Sequence, residues 1–385
     1  MISDPTPVVY LNNAATTWPK PPQVLEEVAA CLRLPVHEAG RTTGTGSTDY
    51  PSAAREALAA FFHAGPPEHF VFTQNATDSL NLLIHGFVKK TGKPFHTITT
   101  ELEHNSVLRP LTTLEHDGAI SLSVVPFTDN TVRLAAIKKV ICPETRLVVM
   151  THGSNVLGSV QDIKPIAEYL HANDIFFIVD GAQTAGHIPV DLADIPVGAY
   201  VFTGHKALFG IPGIGGFFIS EPDAIAITRQ GGTGTDSRTL TQPSGMPERF
   251  ETGTHNYLGI ASLYAGIRFI NTVGISDIER TGRDLTDRFI RELKRTKGIT
   301  IYNEKPELPV VSFDIAGIDN QEVGFILGRA YNIIMRTGLH CAPLVHRRID
   351  GGNGCVRASF SYFTTIEEIE TASAAIREVA ESAHR

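Results

Sequence analysis

The sequence is poor in cysteine, in charge and in long apolar runs, and each shortage removes a class of answer. Its four cysteines, Cys31, Cys142, Cys341 and Cys355, lie far apart and form no CxxC pair. That spacing argues against a disulfide framework and a sulfur-rich zinc site, and it fits a reducing compartment. No segment reaches the roughly 18 apolar residues of a membrane span. The opening MISDPTPVVYLNN carries an early Asp and two prolines where an export signal would place a basic patch and an apolar run. We therefore expect a cytoplasmic protein that enters no membrane. Lys plus Arg number 33 against 41 Asp plus Glu, a formal charge of -8, so no electrostatic surplus draws the chain to nucleic acid. No G-x-G-x-x-G opens the first helix and no G-x-x-x-x-G-K-[ST] occurs, so the dinucleotide and P-loop fingerprints are missing.

What is present is the material of a large α/β protein. The 385 residues, 42% of them hydrophobic, are ample for a sizeable core. From about residue 69 to 220, short apolar runs (HFVFT, HTITT, RLVVM, IFFIVD, AYVFT, GGFFIS) alternate with amphipathic stretches at 77–90, 105–116 and 162–172. This rhythm predicts a mainly parallel central sheet with helices on both faces. A Gly-rich stretch, RQGGTGTDSRTLTQPSG, then predicts a long exposed loop. Beyond it come helices over 256–273 and 276–296, strands ITIYN and PVVSFDI, a helix near 320–330, strands IIMRT and CVRASFSYF, and a closing helix. These form a smaller α+β C-terminal domain. Thr365 with Glu368 three residues on predicts a capping box at the start of the closing helix.

Several polar residues sit just after predicted strands, where open α/β sheets bind ligands. Asn75, Ala76 and Thr77 follow HFVFT and open a helix, offering backbone N–H groups and a hydroxyl to an anion. Asp180 ends IFFIVD with Gln183 three residues later, and His205 and Lys206 follow AYVFT. Singly, each has a plainer reading as cap, turn former or solvated lysine. Together, an anion cradle, a carboxylate and an amine at adjacent strand ends match what pyridoxal phosphate (PLP) requires.

The motifs YLNNAATT (10–17), EHNS (103–106), SNVLG (154–158), VDGAQ (179–183), TGHK (203–206), FETGTHN (250–256), RTGLHCAP (336–343) and VRAS (356–359) occur in this order. The ordered set resembles the class V aminotransferase family of fold-type I PLP enzymes, in its cysteine desulfurase and selenocysteine lyase branch. The resemblance runs from about residue 8 to the C-terminus. It implies a large PLP-binding domain over 16–255, and a small domain of 1–15 and 256–385 carrying the Cys341 loop. It makes Lys206 the Schiff-base lysine, Asp180 the partner of the pyridine nitrogen, Gln183 that of the phenolic oxygen, and His104 the ring-stacking residue. Thr77, the backbone of Ala76, Thr203 and His205 would hold the phosphate, with Thr254 reaching in from the second subunit of a homodimer. Asn13, Ala14, Asn155, Arg336 and Arg357 would surround the substrate, Asn155 and Arg357 taking its α-carboxylate. Cys341 would accept sulfur from L-cysteine and pass it to an acceptor protein such as an iron–sulfur scaffold.

The chain departs from the family pattern at Asn12, usually Asp, at Gly153, usually Val, at His255, usually Pro, and in QNAT (74–77) for an RGTT-type loop. Selenocysteine lyase, another β-elimination or transamination therefore stay open beside desulfuration, with L-selenocysteine as the other substrate. A sulfur carrier with little turnover fits less well, because Lys206, Asp180, His104 and Arg357 are all kept. A free cysteine is most often a buried small apolar residue. Cys341 differs, because it follows Arg336 and His340 and positive groups favour a reactive thiolate. Cys31, Cys142 and Cys355 lack such a setting and read as structural. His340 and His346 flank Cys341, but no recognisable ligand spacing completes a metal site, and none is expected.

Overall fold

The computed structural model describes residues 8–33, 48–235 and 238–383. The chain enters on β1 (Val9–Tyr10) and then builds seven strands: β2 (Phe70–Thr73), β3 (Phe95–Thr100), β4 (Ile120–Val125), β5 (Thr145–Thr151), β6 (Phe176–Asp180), β7 (Ala199–Thr203) and β8 (Gly215–Ile219). These seven form one sheet in the order β2-β8-β7-β6-β5-β3-β4. The run from β7 to β4 is parallel, and only β8 lies antiparallel to its neighbours β7 and β2.

Alternation along each strand sends side chains to opposite faces. Val148, Met150, Phe177 and Val179 join one core with Leu58, Ile166 and Leu170 of the helices Tyr50–Phe61 and Ile163–His171. Leu147, Val149 and Ile178 join another with Leu80, Leu83, Val107 and Leu111 of the helices Ala76–Thr91 and Asn105–His116. Burial on both faces explains why these strands read as unbroken apolar runs. Edge strand β4 is different: Ser121 and Val124 are exposed, and its mixed pattern gave no such signal.

The remaining strands are β9 (Ile299–Ile301), β10 (Val310–Ile315), β11 (Ile333–Ile334), β12 (Arg336–Gly338) and β13 (Cys355–Ser359). An antiparallel sheet takes the order β12-β13-β10-β9, while β1 pairs parallel with β11. The sequence run IIMRT is thus split between two sheets. A separate core gathers Leu11, Phe289, Phe313, Val323, Phe360 and Ile376 from both chain ends. The closing helix carries the expected box: Thr365 N–H donates to Glu368 Oε2 at 2.8 Å and Glu368 N–H to Thr365 Oγ1 at 3.1 Å. Residues 229–235 and 238–245 of the Gly-rich stretch are loop, mostly exposed, with Asp236 and Ser237 outside the described residues. Among the described residues no single helix is long and apolar enough to cross a membrane.

Candidate functional site

Thr151, Asp180 and Thr203, the last residues of β5, β6 and β7, open into one cavity of about 460 Å³ at the carboxyl edge of the sheet. One wall is the start of the 16-residue helix Ala76–Thr91. Its first N–H groups have no intrahelical acceptor. The side chain of Asn75 accepts from Asp78 N–H at 3.0 Å, so Ala76 and Thr77 present their N–H groups at the positive end of the helix. β8 can approach this turn because residue 215 is glycine: a Cβ there would lie 2.7 Å from Asn75 Cα. Thr203 Oγ1 and His205 Nδ1 are enclosed without a hydrogen-bond partner. The peptide beside them is held from the N-terminal segment. The His205 carbonyl accepts from Thr17 N–H at 3.1 Å and Lys20 Nζ at 2.8 Å, and Thr17 Oγ1 donates to the Lys206 carbonyl at 2.9 Å.

Across the cavity floor, buried Asp180 accepts from Ala182 N–H at 3.0 Å and forms no salt bridge among the described residues. Burial raises its pKa, with Ala182 N–H and Lys206 opposing. Burial pushes Lys206 down to about 8, against the pull of Asp180 and helped by Arg357 and Arg336. Burial, Lys206 and the arginines push His104 down to about 4. His104 Nδ1 accepts from Ser106 N–H at 3.0 Å, capping the helix Asn105–His116, so the neutral ring carries its proton on Nε2. Gln183 donates from Nε2 to the Ala14 carbonyl at 3.1 Å, bringing the YLNNAATT segment to the cavity. Beneath lies Glu103, the first residue of EHNS, to which the resemblance gives no role of its own. It is fully buried, accepts from Thr151 N–H at 3.0 Å, and burial raises it to about 8.

Among the described residues the opposite wall holds two arginines and no carboxylate. Arg336 and Arg357 face each other across the β12–β13 ladder. Arg357, 1% exposed, donates from Nη1 to the Asn155 carbonyl at 2.8 Å and from Nη2 to Asn12 Oδ1 at 3.4 Å, while its Nε has no partner. Burial and Arg336 push it down to about 9. Asn155 Nδ2 donates to the His340 carbonyl at 2.7 Å, which ties this wall to the next turn. There Cys341 Sγ lies 3.4 Å from Arg336 Nη2. His340 and Cys341 have φ of +47° and +59°, two successive left-handed residues without a glycine.

Lys206, Asp180, His104, Gln183, Ala76, Thr77, Thr203, His205, Asn155, Ala14, Arg336 and Arg357 all line this cavity. Cys341 sits beside it through Arg336. Asn13 does not line it, because its amide is spent on the chain: Nδ2 donates to the Tyr10 and Ser359 carbonyls and Oδ1 accepts from Trp18 N–H. Thr254 lines another cavity of about 450 Å³, with Arg55, Glu251 and His255. Ser106, Thr151 and Gly153 also belong to the lining; they lie in or beside EHNS, RLVVM and SNVLG but carry no role in the resemblance.

A helix N-terminus, two arginines, a buried carboxylate and an amine of lowered pKa thus line one cavity. The family model Aminotransferase class-V matches residues 9–371. The chain belongs to the class V aminotransferase family. Among curated relatives of this class V member, a cysteine desulfurase of Pectobacterium carotovorum subsp. carotovorum is 31% identical over 97% of the chain and 93% of that protein. A cysteine desulfurase of Synechococcus elongatus is 32% identical over 97% of the chain but only 60% of its own, longer length. The apo structure of a cysteine desulfurase from Thermococcus onnurineus NA1 superposes with a TM-score of 0.90 at 31% identity, covering 97% and 95% of the two chains. Two departures of this class V chain have local reasons. A Cβ at Gly153 would meet Leu308 Cδ1 at 2.7 Å and Thr184 Cγ2 at 2.8 Å, so the space of a larger side chain is already filled. Asn12 Oδ1 accepts from Arg357 Nη2 at 3.4 Å, so this position serves the arginine as a neutral acceptor.

Proposed function

We propose that this chain is a PLP-dependent cysteine desulfurase, converting L-cysteine to L-alanine and leaving the sulfur as a persulfide on Cys341. The observation that carries the reading is a thiol set on an arginine at the edge of a cavity that already contains an amine, a buried unpaired carboxylate and an anion cradle. The residues fit PLP: Ala76, Thr77, Thr203 and His205 would hold its phosphate, with unpartnered donors at Thr203 and His205 awaiting one. Asp180 would take the ring nitrogen, whose positive charge would keep this buried carboxylate ionised. Gln183 would take the phenolic oxygen, His104 would cover the ring, and Lys206 would carry the cofactor. When bound, PLP draws electron density from the substrate Cα and weakens the bond to its sulfur.

The chain's own groups do the rest. Arg357 and Asn155 bind the α-carboxylate, the arginine through its planar fork, and Arg336 adds positive charge beside them. Lys206, with its lowered pKa, exchanges the Cα proton near neutral pH. Cys341 sulfur attacks the substrate sulfur: an S–S bond forms, the Cβ–S bond breaks with its electron pair going to Cβ, and a proton completes alanine's methyl group. The persulfide then goes to an acceptor protein. Residues 16–255 form the cofactor-binding domain, and 1–15 with 256–385 the domain that delivers Cys341; residues 34–47, 236 and 237 of the former and 1–7, 384 and 385 of the latter lie outside the described residues. The chain works as a cytoplasmic homodimer in which Thr254 serves the partner's phosphate.

The test is Cys341→Ala, assayed with L-cysteine for alanine and protein-bound persulfide. We expect retained PLP, no persulfide, and alanine formation down by at least about 100-fold, the loss typical of a removed nucleophile. Undiminished alanine from L-cysteine in this variant would overturn the reading. Selenide release from L-selenocysteine in both proteins, with no turnover of L-cysteine in either, would replace it by selenocysteine lyase.

A further inference from the structure

Behind the Cys341 turn lies a group of side chains that the proposed reaction does not use. His340, His346 and Cys355 are all buried, and one ligand atom from each lies within 4.8 Å of the other two. The sequence hides this group, because Cys355 is brought in only by the β12–β13 pairing, where it stands opposite Gly338. His340 comes from the turn itself and His346 from the helix Pro343–Ile349.

Two polar atoms of this group have no partner among the described residues. His346 Nδ1 lies 2.5 Å from Asp350 Oδ2, so the carboxylate accepts the Nδ1 proton and leaves Nε2 as a lone pair. That Nε2 is enclosed and has no partner. His340 Nδ1 is likewise enclosed without a partner, while its Nε2 lies 3.5 Å from Cys355 Sγ and 3.2 Å from the Cys355 carbonyl. The two rings are 5.3 Å apart. A buried polar atom without a partner is destabilising, and here two imidazoles bear one each, side by side.

We infer that His340, His346 and Cys355 form a binding site for a zinc-class divalent ion. Two imidazoles and a thiolate are the ligand types zinc prefers. Tetrahedral bonds of about 2.0–2.1 Å to nitrogen and 2.3 Å to sulfur place ligand atoms roughly 3.3–3.6 Å apart, so shifts of about an ångström close the set. Asp350 fixes the tautomer of His346 in the carboxylate–histidine arrangement that metal ligands use. The ion would release the proton of Cys355, and its charge would be offset by that thiolate and by Asp350. Three protein ligands leave the fourth position to a water or other small ligand. The ion would tie β13, the helix Pro343–Ile349 and the left-handed turn of His340 and Cys341 into one unit. The site does not depend on the role of Cys341 in catalysis.

The test uses PLP-loaded protein produced with added zinc and dialysed against a weak chelator. We expect one zinc per chain by elemental analysis, and X-ray absorption at the zinc edge showing one sulfur and two imidazole nitrogens. Cys355→Ser and His346→Gln should each lower retained zinc at least tenfold, while Cys341→Ser should keep it. Stripping the wild-type protein should lower its Tm, and zinc alone should restore it; this arm stands even where a variant does not fold. Wild-type protein that retains no zinc and shows no zinc-dependent Tm overturns the site. So does zinc that persists in folded Cys355→Ser and His346→Gln, or that is lost with Cys341→Ser.

Discussion

Lys206, the amine proposed to carry the cofactor, is held well below its ordinary pKa. Burial, with Arg357 and Arg336, lowers it to about 8, so the neutral, nucleophilic amine gains population as pH rises through that value. PLP capture by cofactor-free protein should therefore accelerate nearly tenfold per pH unit below about 8 and level off above it. His104 and His205, both lowered to about 4, stay neutral throughout and add no step. A capture rate that is flat from about pH 6 to 9, followed by stopped-flow absorbance, would contradict the assignment. At the other wall, Arg357→Lys keeps a cation but loses the fork that spans a carboxylate. With Arg336 still nearby, we expect kcat/KM for L-cysteine to fall about 10- to 100-fold, mostly through KM. These magnitudes follow from a charged hydrogen bond of about 1.5–3 kcal/mol. A change confined to kcat would move Arg357 from substrate binding to the chemical step.

Elements place these residues, and their ends matter more than their middles. Gly215→Ala pushes a methyl group into the Asn75 backbone at the helix start, so PLP affinity should fall while the sheet stays folded. Equilibrium dialysis of PLP checks this, and unchanged affinity would show that the helix end is not the phosphate site. Thr365→Ala opens the exposed capping box of the closing helix and should cost about 1 kcal/mol in urea unfolding with no loss of turnover. That box was readable because it is local: both partners lie within one turn. The same holds for the sheet strands, whose two-sided burial writes an apolar run, and for Asp180 and Lys206, which follow such runs directly. What could not be read depends on pairing between distant segments. β4 at the sheet edge lacks the run, and IIMRT divides because β11 joins β1 while β12 joins β13. Asn13 looked like a site residue within its motif, yet the Ser359 carbonyl from the far end of the chain claims its amide. The His340, His346 and Cys355 group becomes visible only once β12 and β13 are in register.

At the level of the whole molecule, one expected phosphate ligand stands apart from the rest. Thr254 is exposed beside a cavity lined by Arg55, Glu251 and His255, away from the lining that holds Lys206. Its loop is nevertheless built to hold position. Buried Glu251 accepts from Arg55 Nη2 at 2.5 Å, from Phe72 N–H at 2.6 Å and from His255 Nε2 at 2.8 Å. Burial alone would raise its pKa, but His255 and Arg55 outweigh burial and lower it, so the anchor remains a carboxylate at neutral pH. His255, standing where the family usually has proline, is thus part of a tether that begins at the residue next to Thr254. A tethered loop whose Thr254 hydroxyl has no partner among the described residues makes sense when a two-fold partner brings its phosphate site against it. Lys206→Ala and Thr254→Arg chains should each be inactive alone. Mixed under conditions of subunit exchange, they form heterodimers in which one of the two sites has both Lys206 and Thr254 intact. Activity should return toward about a quarter of wild type, since random pairing of equal amounts makes half the dimers mixed and each holds one working site. Tagged heterodimers purified from the mixture that show no activity, or a wild-type monomer with full turnover at high dilution, would place Thr254 outside the phosphate shell.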